Sequence, residues 1–165
     1  MAFLVEDGTG LAAATAYVSV SYADAYHALS GAAWTGEESA KQQAIVKATR
    51  FIDRRFFGRF RGVQRSGSQA LAFPRVGIYD EAGRLRDEMP RQIKEACAEY
   101  ALRALSGEIL PDPEHDAAGV VRSRTEQVGP ISESVEYERT RAAPSYPEAD
   151  ALLRPLLHSG GAVRA

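Results

Sequence analysis

Cysteine occurs once in this 165-residue chain, at Cys97, and histidine three times. The lone cysteine excludes an intramolecular disulfide framework and lets the chain fold in a reducing compartment. Set in a helical pattern, it is expected to be a small core hydrophobe, because a catalytic thiol needs a positioned base. His27, His115 and His158 are scattered; none stands at i, i+4 or near a paired cysteine or acidic ligand with metal spacing. His27 is expected on a helix flank, His115 in a loop and His158 beside the last helix. Asp112, Glu114 and Asp116 of "PDPEHD" lack the glycine and closing glutamate of a calcium loop, so a solvated acidic loop is expected. "GTG" and "GGA" do not follow a strand to open a helix, as phosphate-binding loops do. No segment approaches the ~20 apolar residues of a membrane span. "MAFLVEDGTG" turns acidic at Glu6, before a signal-peptide core can form. These shortages predict a soluble cytosolic protein that is no enzyme and holds no metal or cofactor.

What the chain does have is an ordinary globular balance, 45% apolar and 25% charged residues, and its length suffices for one core burying roughly 70% of the unfolded surface. "AFLVEDGTGL" reads as a short strand with an Asp7-Gly8 turn, and "TAYVSV" as extended. Ser21 with Asp24 marks a first helix ending near Ser30-Gly31. Thr35 with Glu38 marks a second, running from Gly36 to about Phe57. Ala44, Ala48, Phe51, Ile52 and Phe56 share one face of it. Pro90 at a first helical position opens a third helix, with Ile93, Ala96, Cys97, Tyr100, Ala101, Ala104 and Leu105 as its apolar face and Gly107 beyond its end. "GVVRSRTEQVGPISESVEYE" predicts a long hairpin or arm over about 118–138. A short helix capped by Ser145 carries Leu152, Leu153, Leu156 and Leu157 before a tail. The expected fold is mainly α: a small helical bundle with a β-hairpin-like arm over 1–140, then a C-terminal helix and mobile tail over 141–165.

Charge is unevenly spread behind a net value of -2. Arg50, Arg54, Arg55, Arg59, Arg61 and Arg65 crowd one segment in which Asp53 is the only acid. Guanidinium groups suit phosphates and carboxylates, and the interleaved Phe51, Phe56, Phe57 and Phe60 either stack on bases or anchor the core. Helical spacing favours the core for Phe51 and Phe56; for the arginines, contact with DNA stands about level with a solvated outer face or pairing with carboxylates of a neighbouring subunit. Next comes "QALAFPR". Its Leu71 and Phe73 are expected to fold the loop onto the helices as a clamp, with Pro74 stopping further pairing and Arg75 left at the surface.

The order "EDGTGL", "AYVSVSYADAYHA", Trp34, "KATRFID", "QALAFPR" and the helix start at Met89-Pro90 resembles a family of small tailed-phage and prophage proteins. The resemblance covers roughly Phe3 to Tyr137, with Phe73 where the family usually has tryptophan. Its members are described both as DnaT-like single-stranded-DNA-binding proteins and as head–tail connector or head-completion proteins. The connector description implies a virion structural protein of the phage neck, assembled in the bacterial cytoplasm: an adaptor ring, dodecameric in similar proteins, around the DNA channel. Its partners would be further copies of itself, the portal protein and a stopper or tail-completion protein, with non-specific contact to packaged DNA through the six arginines. The four leucines from Leu152 to Leu157 would dock portal or neighbour. That is the leading expectation from the sequence; the alternative is a DnaT-like single-stranded-DNA-binding replication accessory.

Overall fold

The computed structural model describes residues 2–80, 82–107, 109, 115–116, 119–127, 132–137 and 146–158. Contacts group residues 1–109 with 146–165 as one unit and residues 110–145 as another. The C-terminal helix, expected in a segment of its own from 141, thus belongs to the first unit.

In that unit, α1 (Val20–Ser30) is capped by Ser19 rather than Ser21. Ser19 has the extended backbone an N-cap needs, and its hydroxyl accepts the Tyr22 N–H at 3.1 Å. The helix closes on Gly31 in the left-handed region, φ 67°, where a side chain would be strained. α2 (Glu38–Phe56) begins at Glu38, so Glu38 stands one position into the helix instead of three and the expected box with Thr35 does not form. α3 (Arg91–Ser106) has Pro90 as its extended cap rather than its first residue, and Gly107 leaves it extended, φ 170°. α4 (Pro147–Leu153) places Pro147 where a missing N–H costs nothing, followed by a 3-10 turn at Arg154–Leu156. Ser145, its expected cap, lies outside the described residues, as do Asp112, Glu114 and the tail after His158.

The protein is mainly α. α2 packs on α3 and α3 on α4. Their shared core carries an aromatic cluster, Phe51, Tyr100 and Tyr146, with ring centroids 4.9–5.9 Å apart. Cys97 is fully buried against Thr49, and burial pushes its thiol up to about 12. His27 is not on an open flank but buried, its Nε2 against the Ala98 carbonyl and its ring 5.1 Å from Trp34. Leu153, Leu156 and Leu157 are core residues and Leu152 packs against them. The leucines expected to dock a portal or neighbour are thus spent inside the fold: the helix closes over α3, and its apolar stripe faces inward.

β1 (Val63–Gln64) pairs antiparallel with β2 (Arg75–Val76), Gln64 opposite Arg75. Pro74 does not stop pairing here, because it sits just before β2 and the ladder needs no N–H from it. In the other unit, β3 (His115–Asp116), β4 (Gly119–Gln127) and β5 (Ser132–Tyr137) form an antiparallel sheet in that order. β4 pairs from Val121↔Tyr137 to Gln127↔Ser132, a hairpin where one was expected; His115, expected in a loop, lies in β3.

Candidate nucleic-acid interface

The stretch "QALAFPR" is stitched down by its own polar groups. Gln69 is buried; its Nε2 donates to the carbonyls of Leu71 (2.7 Å) and Pro74 (3.1 Å), and its Oε1 accepts the Ser66 N–H at 3.0 Å. Phe73 is fully buried, 4.9 Å edge-on to Phe60 and 6.5 Å from Tyr17. Leu71 and Pro74 are buried with it. Asp53 of α2 accepts the Ala72 N–H at 3.1 Å and the Tyr17 hydroxyl, which also accepts the Phe73 N–H. Burial outweighs these hydrogen bonds and pushes the Asp53 carboxyl up to about 6.

Arg75 closes this assembly and corrects the expectation of a surface arginine. It is 8% exposed, and its guanidinium donates to the carbonyls of Arg61 (2.8 Å), Gly62 (2.7 Å) and Ala72 (3.3 Å). Gly62 lets the neighbouring strand β2 pack closely here. At φ 71° it lies in the left-handed region, and a Cβ there would stand 2.4 Å from the Val76 carbonyl oxygen. The backbone of residues 60–62 is therefore fixed from beneath by Arg75. From the other side it is fixed by the C-terminal turn: Arg61 N–H donates to Leu156 O (2.9 Å), Arg61 Nε to Leu157 O (2.9 Å) and His158 N–H to Arg59 O (2.8 Å).

On this fixed backbone rests a groove of about 830 Å³. Arg59 and Arg61 line it from the end of α2, Arg84 and Arg86 from a hairpin over residues 78–86, and Arg154 from the C-terminal turn. His158, Pro155 and Leu157 complete that last side. The hairpin is held by Arg86 N–H to Ile78 O (2.8 Å) and Asp80 N–H to Arg84 O (2.9 Å). Asp80 is the one acidic lining residue in the described groove. It is committed to the turn, accepting the N–H groups of Ala82 and Arg84 and the Arg84 Nε at 2.9 Å, which holds its carboxyl below the usual range. Arg86 Nε is buried without a hydrogen-bond partner. Five arginines thus line one shared space, a concentration of positive charge that suits an anionic partner.

Of the six arginines singled out in the sequence, Arg59 and Arg61 enter this groove. Arg55 instead lies over the rings of Phe51 and Phe56 and 3.7 Å from Asp150, tying α2 to α4. Arg65 pairs with Glu88. Arg50 and Arg54 are exposed on α2. Among the four phenylalanines, Phe51, Phe56 and Phe60 are core, whereas Phe57 is 50% exposed. Tyr79, beside Asp80, is 54% exposed. Sequence reasoning missed Arg84, Arg86, Arg154 and His158. The alternation "RLR" was a usable signal, since residues two apart share one face of an extended strand, but nothing local joins it to the C-terminal turn.

Among the described residues no group of His, Cys, Asp and Glu is gathered to hold a metal, and no helix is long and apolar enough to cross a membrane. Fold and groove together define a small, mainly helical protein with an arginine-lined groove. Residues 1–165 match the family described as "Putative DnaT-like ssDNA binding protein", and the chain belongs to that family. No curated protein and no solved structure matches it. The family match supports the alternative drawn from the sequence, the single-stranded-DNA reading, and does not support the head–tail connector.

Proposed function

We propose that this protein binds single-stranded DNA through its phosphate backbone, in the groove lined by Arg59, Arg61, Arg84, Arg86 and Arg154. The observation that supports this reading is the convergence of five arginines from three separated segments on one groove, where Asp80, engaged in its own turn, is the single carboxylate among the described lining residues. Phosphates entering the groove displace condensed counterions, so binding is steep in salt and indifferent to sequence. Phe57 and Tyr79, each within two residues of a groove residue, offer exposed ring faces that unstacked bases can use and a closed duplex cannot. No bond is made or broken in this role; the arginines hold, and the clamp beneath keeps them in place.

The test is fluorescence anisotropy with a labelled oligothymidylate across a salt series. The intact protein should bind with a log–log salt slope of several units. The combined variant Arg59→Ala, Arg84→Ala, Arg154→Ala should bind weakly, with a slope shallower by about 2, roughly 0.7 for each lost phosphate contact on a single strand. Absence of binding by the intact protein at low salt would overturn the proposal. Equal competition by duplex DNA would remove its single-strand preference.

A further inference from the structure

α1 has two apolar faces, and the core uses one. Ala23 and His27 are buried. Tyr22, Ala25, Tyr26 and Leu29, spaced i, i+3, i+4 and i+7, share a different face, within an arc of about 100° at 3.6 residues per turn. Leu29 is 92% exposed, more than any other large apolar side chain among the described residues. With Met89 these four line a pocket of about 450 Å³ beside the start of α3. The face is held in place, because the Tyr26 hydroxyl donates to Glu99 Oε1 of α3 at 3.0 Å and Tyr22 and Met89 pack against the core. Four charged residues complete the lining. Arg91 and Glu95 pair with each other at 2.6 Å. Asp87 and Lys94 line the same pocket, and among the described residues neither has an ion-pair partner.

We propose that this face of α1 docks a second copy of the chain across a twofold axis, with Leu29 of each copy entering the pocket of the other. A patch on a twofold axis meets itself, so it must carry both halves of every contact. This one does. It sets an exposed leucine beside a largely apolar pocket, and an unpaired carboxylate beside an unpaired ammonium, so that Asp87 of one copy can meet Lys94 of the other twice over. Tyrosine, methionine and arginine are also the residues in which the centres of protein interfaces are enriched. A nucleic-acid strand fits worse here, because Asp87 and Glu95 offset Arg91 and Lys94 and leave the lining without net charge, whereas the groove sets five arginines against one acid. The contact stands apart from the groove and from what the groove binds. Its consequence is a particle with two grooves, on which a polyanion long enough to engage both gains avidity.

Sedimentation equilibrium of the full chain, from about 1 to about 500 µM, reads the association. The intact protein should pass from one copy to two within that range. Leu29→Asp changes a side chain that the fold leaves exposed, so circular dichroism should show its helices kept, and association should weaken at least about tenfold. Asp87→Lys alone and Lys94→Asp alone should each weaken it too, since like charges then face each other across the axis. The two combined should restore it, because the exchanged pair meets again. An intact protein that stays monomeric throughout would overturn the proposal. Association unchanged by Leu29→Asp would overturn it by placing the contact elsewhere, and a combined variant no stronger than the single ones would remove the twofold pairing on which it rests. If Leu29→Asp weakened binding of a short oligothymidylate and left the mass unchanged, the face would belong to a nucleic-acid contact instead of a second copy.

Discussion

Arg75 and Arg84 carry the same guanidinium group in two regions built for opposite purposes. Arg75 is buried and spends its donors on the carbonyls of Arg61, Gly62 and Ala72. Arg84 stands 79% exposed beside the groove, its Nε paired with Asp80. Arginine contributes to stability where its planar fork meets several fixed acceptors out of water. It contributes to recognition where such acceptors are withheld and a ligand must bring them. The contrast teaches how the two regions depend on each other: the clamp of residues 69–75 is buried, yet through Arg75 it fixes the backbone of residues 60–62 beside the proposed groove.

The comparison breaks most visibly at Phe73. Phe73→Ala should destabilise the fold by roughly 3–5 kcal/mol, since it empties a site packed by Tyr17 and Phe60. A loss below about 1 kcal/mol by chemical denaturation would show that the clamp is not a structural centre. Arg75→Met should cost about 3 kcal/mol, because buried carbonyls lose their donor. It should also weaken oligonucleotide binding in proportion, a coupling readable by anisotropy below the unfolding transition.

Asp53 sharpens the same region through pH. Its folded carboxyl lies at about 6 against 3.8 for the free group, so between those values the folded state holds a proton that the unfolded state has released. Ionising it in the fold is unfavourable; its contribution to stability is therefore lost as pH rises through this window, by up to about 3 kcal/mol. Asp53→Asn should remove that decline, seen as the difference between variant and parent melting temperatures at about pH 4.5 and pH 7. Asp7, Asp24 and Asp80 are held below their usual values and act in the opposite sense in both proteins, so they cancel in the difference.

Smaller effects belong to the groove side. Phe57→Ala should weaken binding of a long single strand by about 1–3 kcal/mol if a base stacks on the ring, with little change for a duplex. Arg84→Ala should change stability by no more than about 0.5 kcal/mol while lowering the salt slope of binding, the reverse of Arg75→Met. If thermal melts showed Arg84→Ala to be as damaging as Arg75→Met, the division of labour between the two regions would fail.

Much of this was legible before folding. The face made by Ala44, Ala48, Phe51, Ile52 and Phe56 was readable from spacing, and so was the α3 face from Ile93 to Ala104, because helical period and apolarity are local properties. Cap positions were displaced, to Ser19 at α1 and from Thr35 at α2, because neighbouring serines and glutamates offer nearly equivalent caps and tertiary packing selects among them. The arginine segment promised one patch and yielded three roles, since a 3.6-residue period followed by an irregular turn sends consecutive arginines in different directions. Leu152, Leu153, Leu156 and Leu157 were expected to dock portal or neighbour; pattern alone does not say what lies opposite an apolar stripe, and here it is α3.

The sequence by itself determined a mainly α protein and its helix faces, because those depend on residues a few positions apart. The tertiary structure decided which arginines became core and which became groove. Arg75 turned inward to the carbonyls of Arg61, Gly62 and Ala72, beside a backbone that packs closely on Val76 because Gly62 has no side chain. The groove formed because three segments distant in sequence were brought onto one surface, a juxtaposition that no local spacing encodes.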